Sequence, residues 1–288
     1  MITGEYESSG PLVHGSKLTS RARGGVGKEL SDGYALNFAV GCTHGCPFCY
    51  VQELVAFGPH ANLAAGKEWG SYLFIRECIE DYIMLTKWEK YRGKEIMLSS
   101  THDPYLKCLR EYTRSILELA LPAGVKFCIQ TRSTLVRHDL QLLSQYPAQV
   151  RLQFSFATAS DALARRIEPR VAPPYERLAV LGEAHRLGIP IGVILAPILP
   201  NCAYRLDMRA DVLELARRLA PLEPAYAFAE ALHARGPNLA KLNDLLGTAW
   251  GRADLEKHDR AAGEAVADAG NRQHLDIVYW PEHRGGGT

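Results

Sequence analysis

An α/β fold with parallel strands, a partial (βα)6 barrel of the TIM type, is predicted by three features of this 288-residue sequence. Short apolar runs alternate with longer amphipathic stretches, the alternation repeats about six times, and glycines close several of the amphipathic stretches where a left-handed cap residue is wanted. Each crossover is long enough to carry the chain back to the same end of the sheet, so successive strands run parallel. An open two-sided sheet has the same period. In both arrangements ligands bind beyond the carboxyl ends of the strands.

Taken in order, residues 1–33 are rich in Gly, Ser and charge and lack a sustained period, which predicts a loosely ordered leader. Within it Gly24–Lys28 imitates a phosphate loop, but Ala22 replaces the first glycine and Glu29 stands where a hydroxyl should meet magnesium. Residues 34–235 form the expected barrel, with strands at 35–40, 95–99, 126–131, 151–156, 190–196 and 225–229. Helical patterns lie between them at 70–92, 106–121, 135–145, 175–187 and 206–219, and Gly93, Gly124 and Gly188 mark helix ends. Residues 236–288 read as a C-terminal helical extension with a late strand at 276–280 and a frayed tail at Gly285–Gly287.

Composition excludes several classes. Lys and Arg total 33 against 32 Asp and Glu, so the net charge of +1 gives no bulk attraction to polyanions or anionic membranes. A nucleic-acid site must then be a local patch, and Lys17, Arg21, Arg23, Arg165, Arg166 and Arg170 are the candidates for it. The apolar run 189–200 is interrupted by Pro190, Gly192 and Pro197 and is too short to cross a bilayer, and the first residues lack a secretory pattern. A cytoplasmic protein with no membrane partner is expected. Seven cysteines, an odd number on a long chain, fit reduced thiols better than a disulfide framework. Cys78, Cys108 and Cys128 fall in apolar-periodic segments and are expected in the core.

The remaining cysteines are clustered. Gly41-Cys42-Thr43-His44-Gly45-Cys46-Pro47-Phe48-Cys49-Tyr50 follows the first predicted strand, placing three thiols at the ligand end with C-x3-C-x2-C spacing. Three thiolates can hold three corners of a [4Fe-4S] cubane and leave the fourth iron open to a small molecule. The same thiols with His44 or His60 suit a closed zinc site, and Cys46 with Cys49 alone suits a redox pair.

The spacing, its aromatic follower Tyr50 and its place after the first strand of a βα series resemble the radical S-adenosylmethionine superfamily. Further stretches resemble the spore photoproduct lyase-like branch. These are Leu18-Thr19, Tyr34-Ala35-Leu36-Asn37, Ser99-Ser100-Thr101-His102-Asp103-Pro104-Tyr105, Gln130-Thr131-Arg132-Ser133, Phe154-Ser155-Phe156, Ile167-Glu168-Pro169-Arg170 and 192–198. The resemblance implies a [4Fe-4S] cluster on Cys42, Cys46 and Cys49 whose open iron chelates S-adenosylmethionine, fed by a flavodoxin- or ferredoxin-type electron donor. Reductive cleavage of the sulfonium commonly gives a 5′-deoxyadenosyl radical, and the protein positions the reactants and excludes water.

The candidate site residues follow. Arg132 suits the cofactor carboxylate and Ser100, Thr101 and Ser155 its polar groups, all at predicted strand ends, and Glu168, in a loop before Pro169, suits its ribose. Tyr50 suits stacking on adenine or hydrogen relay, and Cys202, after the fifth strand, suits hydrogen donation to a substrate radical. Asp103 before Pro104 fits an Asx turn, and Glu230 and His233 are possible substrate contacts near an exposed helix start. The lyases, as the resemblance has it, carry a hydrogen-donating cysteine where this chain has Ser100. Repair of spore photoproduct itself is therefore not expected, and the substrate stays open between a nucleic acid or nucleotide and a small molecule or peptide. A zinc-stabilised binding protein is the non-catalytic alternative.

Overall fold

The computed structural model describes residues 2–16, 19 and 30–282. Lys17, Leu18, Arg21, Arg23, the phosphate-loop imitation and Gly285–Gly287 lie outside the described residues. The chain opens with strands β1 (Ile2–Tyr6), β2 (Val13–Gly15), β3 (Tyr34–Leu36) and β4 (Ala39–Gly41). Two short helices, α1 (Val51–Ala56) and α2 (Ala61–Ala64), precede β5 (Tyr72–Arg76) and α3 (Ile79–Leu85). Strand and helix then alternate through β6 (Glu95–Leu98), α4 (Arg110–Ala120), β7 (Lys126–Thr131), α5 (Leu140–Leu143), β8 (Val150–Phe156), α6 (Asp161–Ile167), α7 (Pro174–Arg186), β9 (Ile191–Ile198), α8 (Met208–Leu219) and β10 (Tyr226–Ala231). Helices α9 (Asn238–Leu246) and α10 (Arg252–Gln273) and strand β11 (Ile277–Tyr279) follow.

Strands β3, β6, β7, β8, β9 and β10 lie side by side in chain order, and every pairing among them is parallel. β11 adds a parallel strand beyond β10, and β2 pairs antiparallel with β3 at the other edge. The result is a partial TIM-type barrel with helices outside. Period-two alternation divides its two faces. On β8, Val150, Leu152, Phe154 and Phe156 join the core beneath the helices, while Arg151, Gln153 and Ser155 take the opposite, lumen face. The helices meet that core by 3.6-residue periodicity, as in α4, whose Thr113, Ile116, Leu117 and Ala120 are its buried stripe.

The expected barrel strands after residue 90 are all present, but several other expectations are corrected. Residues 1–33 are not a loose leader where described. β1 pairs parallel with β5, β2 pairs antiparallel with β3, and Leu12 and Val13 are buried in the main core. The single strand expected at 35–40 is two strands in different sheets, because the chain turns at Asn37 and Phe38 from the barrel into a small sheet of order β1-β5-β4. The helix expected at 70–92 begins with a strand: Tyr72, Phe74 and Ile75 are strand formers, and Cys78 at φ 52 separates them from α3. That position leaves Cys78 exposed, and Cys108, just before α4, is exposed too; of the three expected core thiols only Cys128 is buried. The stretch 135–145 is largely a 3-10 turn, Thr134–Asp139, with a four-residue α5.

Replacing Leu12 by Ala tests the docking of the N-terminal segment. Its side chain is 2% exposed, so a loss of about 2–5 kcal/mol in urea unfolding is expected. A loss under about 0.5 kcal/mol is what a loose segment would give.

Candidate active site

The cysteine loop leaves β4 at Gly41 and ends at α1, at the carboxyl end of the barrel strands. Glycine is required by close approach. A Cβ on Gly45 would come 3.2 Å from the Gly70 Cα, one on Gly70 would come 2.5 Å from the Gly45 Cα, and both have positive φ. The loop is tied down from three directions. Arg170 donates to the carbonyls of Thr43 (3.1 Å) and Gly70 (2.6 Å). Gln52 donates to the carbonyls of Pro47 (3.1 Å) and Cys49 (2.8 Å). From α9, Asn238 donates to the Phe48 carbonyl and Lys241 to Gln52. The C-terminal extension thus buttresses the loop, and Arg170, expected on a phosphate, is engaged in holding it.

Burial pushes all three thiols up. Cys42 is pushed up to about 12, with the charges of Asp103 and Cys49 adding to burial. Cys46 and Cys49 rise by burial against the opposing pull of Arg132, joined at Cys49 by the Val51 amide. Thiolates at this loop require a positive centre to stabilise them. His44 and His60, the possible fourth ligands of a zinc site, are engaged elsewhere: His44 Nδ1 is 3.6 Å from Asp103 Oδ2, and the His60 ring packs edge-on against Tyr6.

Asp103 joins three elements. Its Oδ1 accepts from the Tyr105 amide (2.8 Å), closing the expected Asx turn, and from the Thr131 hydroxyl (2.7 Å). Its Oδ2 accepts from the Arg132 amide (2.7 Å) on the same side as His44. One carboxylate thereby registers the ends of β6 and β7 against the cysteine loop.

Arg132 and Glu168, expected as separate cofactor contacts, are bonded to each other. Arg132 Nη1 donates to Glu168 Oε1, and Nη2 donates to the Ala196 carbonyl at 2.8 Å. The other carboxylate oxygen accepts from Arg177 Nη2 at 2.5 Å, and Arg177 Nη1 donates to the Ser155 carbonyl at 2.6 Å. Glu168 and Arg177 are fully buried, while the Arg132 side chain is 17% exposed, with its guanidinium over the Phe48 ring. Burial alone would raise the Glu168 pKa, but Arg177 and then Arg132 hold it below the ordinary 4.5. Sequence reasoning missed Arg177. The signal was present, since Arg177, Val180, Leu181 and Ala184 form the buried stripe of α7 and a charge in such a stripe must be paired.

The remaining candidates are distributed around this bracket. Ser100 is held by Asn37, whose Nδ2 donates to the hydroxyl at 2.9 Å and whose Oδ1 accepts from the Ser100 amide at 2.9 Å. The Thr101 hydroxyl donates to the Ala39 carbonyl, and Ser155 Oγ accepts from Gln130. His102, next to Thr101, is buried, its pKa pushed down to about 3 by burial. Tyr50 precedes α1 and is 42% exposed. Cys202 is buried in one apolar cluster with Cys46, Phe48 and Leu199. His233 is not at an exposed helix start: it is buried past the end of β10, with Nδ1 2.9 Å from Glu230 Oε1 and Nε2 3.6 Å from Asp259 Oδ1, linking β10 to α10. Arg166 donates to the Tyr204 hydroxyl.

A family model described as the radical SAM superfamily matches residues 36–202, which hold the cysteine loop and the four barrel strands β6 to β9. The chain belongs to the radical SAM superfamily. It is 45% identical over 282 residues to an uncharacterised protein of Acidianus two-tailed virus, spanning 97% of this chain and 93% of the viral one. It is 23% identical over 168 residues to spore photoproduct lyase of Bacillus subtilis, covering 57% of this chain and 45% of the lyase. In structure it is similar to a spore photoproduct lyase variant with dinucleoside spore photoproduct, at TM-score 0.63 and 16% identity, over 96% of this chain and 80% of the other.

Membership of the radical SAM superfamily makes the chain an enzyme and implies a [4Fe-4S] cluster and S-adenosylmethionine as its cofactors, with a reductant to supply electrons. The residues present fit that pair: three thiols on one loop, and a guanidinium beside two of them. Among the described residues no helix is long and apolar enough to cross a membrane.

Glu168→Gln should destabilise the radical SAM barrel by about 3–5 kcal/mol at pH 7, because two buried guanidinium groups lose their counter-charge. Because the folded pKa of Glu168 is depressed, its contribution is present above the unfolded value and is lost as pH falls through the folded one. Urea titrations of both proteins should therefore converge as pH drops below about 4.5, the unperturbed glutamate value. An undiminished difference at low pH would contradict the assignment.

Proposed function

We propose that Cys42, Cys46 and Cys49 hold the [4Fe-4S] cluster and that the chain cleaves S-adenosylmethionine reductively to start radical chemistry on a nucleic acid or nucleotide. The observation that carries this reading is the seating of the cysteine loop at the carboxyl end of a parallel barrel, against the Arg132–Glu168–Arg177 bracket. When bound, the cluster supplies an electron that breaks a sulfonium carbon–sulfur bond. The protein's part is positional and electrostatic.

In this reading Arg132, kept charged by Glu168, sets a positive potential beside Cys46 and Cys49 and meets the cofactor carboxylate with its exposed edge. Glu168 acts through Arg132 and does not itself reach the ribose. Thr101 and Ser155 line the strand ends where the cofactor's amino acid portion lies. Tyr50 presents its ring to the adenine or relays a hydrogen atom. Ser100, locked to Asn37, contacts the cofactor through its partly exposed hydroxyl and takes no part in hydrogen transfer, because its O–H bond is too strong to quench a carbon radical. Cys202 supplies the thiol hydrogen from the end of β9.

The nucleic-acid substrate is supported by similarity to a lyase variant whose structure contains a dinucleoside spore photoproduct. The net charge of +1 limits phosphate attraction, so recognition rests on groups inside the barrel mouth. A flavodoxin- or ferredoxin-type protein is the proposed electron donor, and the cytoplasm the proposed compartment.

Anaerobic reconstitution with iron and sulfide, followed by dithionite and S-adenosylmethionine, should give a brown protein that releases 5′-deoxyadenosine or methylthioadenosine. Each of Cys42→Ala, Cys46→Ala and Cys49→Ala should lower bound iron and cut nucleoside release by at least about tenfold. Stoichiometric zinc without acid-labile sulfide, or no nucleoside from the reconstituted protein, would reject the enzyme mechanism.

A further inference from the structure

The lumen face of the barrel carries polar groups that the cofactor chemistry does not use. Met97, Cys128, Ile194 and Phe228, one each from β6, β7, β9 and β10, pack together there, with Trp280 against them. Gln153 of β8 reaches the same space. It is fully buried, its Oε1 faces only the Cys128 thiol at 4.0 Å, and its Nε2 has no hydrogen-bond partner among the described residues. Gln130 lies directly across from it in the β7–β8 register, is partly exposed, and spends one Nε2 proton on Ser155 Oγ at 3.5 Å, which leaves its Oε1 and a second proton for a ligand. A buried amide donor left without an acceptor is costly unless something arrives to fill it.

We propose that Gln130 and Gln153 are the specificity-determining pair that reads the hydrogen-bonding edge of a nucleobase turned into the lumen. This rests on the nucleic-acid reading above and deepens it. Each amide offers a donor and an acceptor in one plane, complementary to a ring with adjacent carbonyl and N–H groups. Further round the same inner face, the buried Phe228 stacks on the partly exposed Trp280 at 4.4 Å and 22°, so that Trp280 is the aromatic group a planar ring would meet. A base inside a duplex would have to be turned outward to reach them. Recognition through base edges also accommodates the neutral charge of the chain, since it does not need a phosphate-tracking groove.

The test is equilibrium binding to the anaerobically reconstituted full chain, using a single-stranded pyrimidine tetranucleotide, its abasic counterpart and an asparagine-containing tetrapeptide. Wild-type protein should favour the base-bearing strand over the abasic one by at least about tenfold. Gln153→Leu should abolish that preference, and Gln130→Leu, at a partly exposed position that tolerates change, should reduce it at least about threefold. If Gln153→Leu does not fold, Gln130→Leu decides. Equal binding of the two strands by wild type, full preference in the foldable variants, or tighter binding of the peptide would overturn the proposal. Nucleoside release from S-adenosylmethionine is measured separately, so failure of cofactor cleavage and failure of base recognition are distinguishable.

Discussion

Two guanidinium groups and one carboxylate buried at the end of a parallel barrel impose the strictest constraint in this protein. Glu168 is bonded on one side to Arg177, which is fully enclosed, and on the other to Arg132, which keeps an edge toward the mouth. Such a cluster is a poor source of net stability, because desolvating the charges offsets most of their attraction. Its value is geometric. The carboxylate satisfies both arginines at once, and the arginines cap the Ser155 and Ala196 carbonyls, so the ends of β8 and β9 and helix α7 are held in one arrangement around the residue that faces the thiols.

The cysteine loop depends on that arrangement and adds its own. Asp103 links it through His44 to the ends of β6 and β7, Arg170 clips it to the Gly70 turn, and α9 supports it from behind. Of its three thiols Cys46 is buried and Cys42 and Cys49 are partly so, and their surroundings hold all three pKa values above that of a free thiol. The net result is a loop held from several sides, in a fold that leaves one arginine beside two of its thiols.

Where the chain departs from the spore photoproduct lyase pattern, the structure gives the departure a context. Ser100 is not an idle replacement for a cysteine; Asn37 holds both its amide and its hydroxyl. The thiol at Cys202 lies in the apolar cluster that also contains Cys46.

Much of the barrel was legible in the sequence. From β6 to β10 the apolar runs are bounded by glycine caps and separated by amphipathic crossovers, and period-two and period-3.6 patterns are local properties of the chain. The cysteine loop and the strand-end elements were legible for the same reason, since spacing along the backbone carries the chemistry. The small β1-β5-β4 sheet was not, because its strands are short, pair across more than thirty residues and resemble loop or helix when read alone. Nor was the partner of each charged group. Arg132 and Glu168 were both visible as candidates, but only folding brings them together with Arg177, because the pairing of buried charges depends on which strand ends and helices converge and not on their order along the chain.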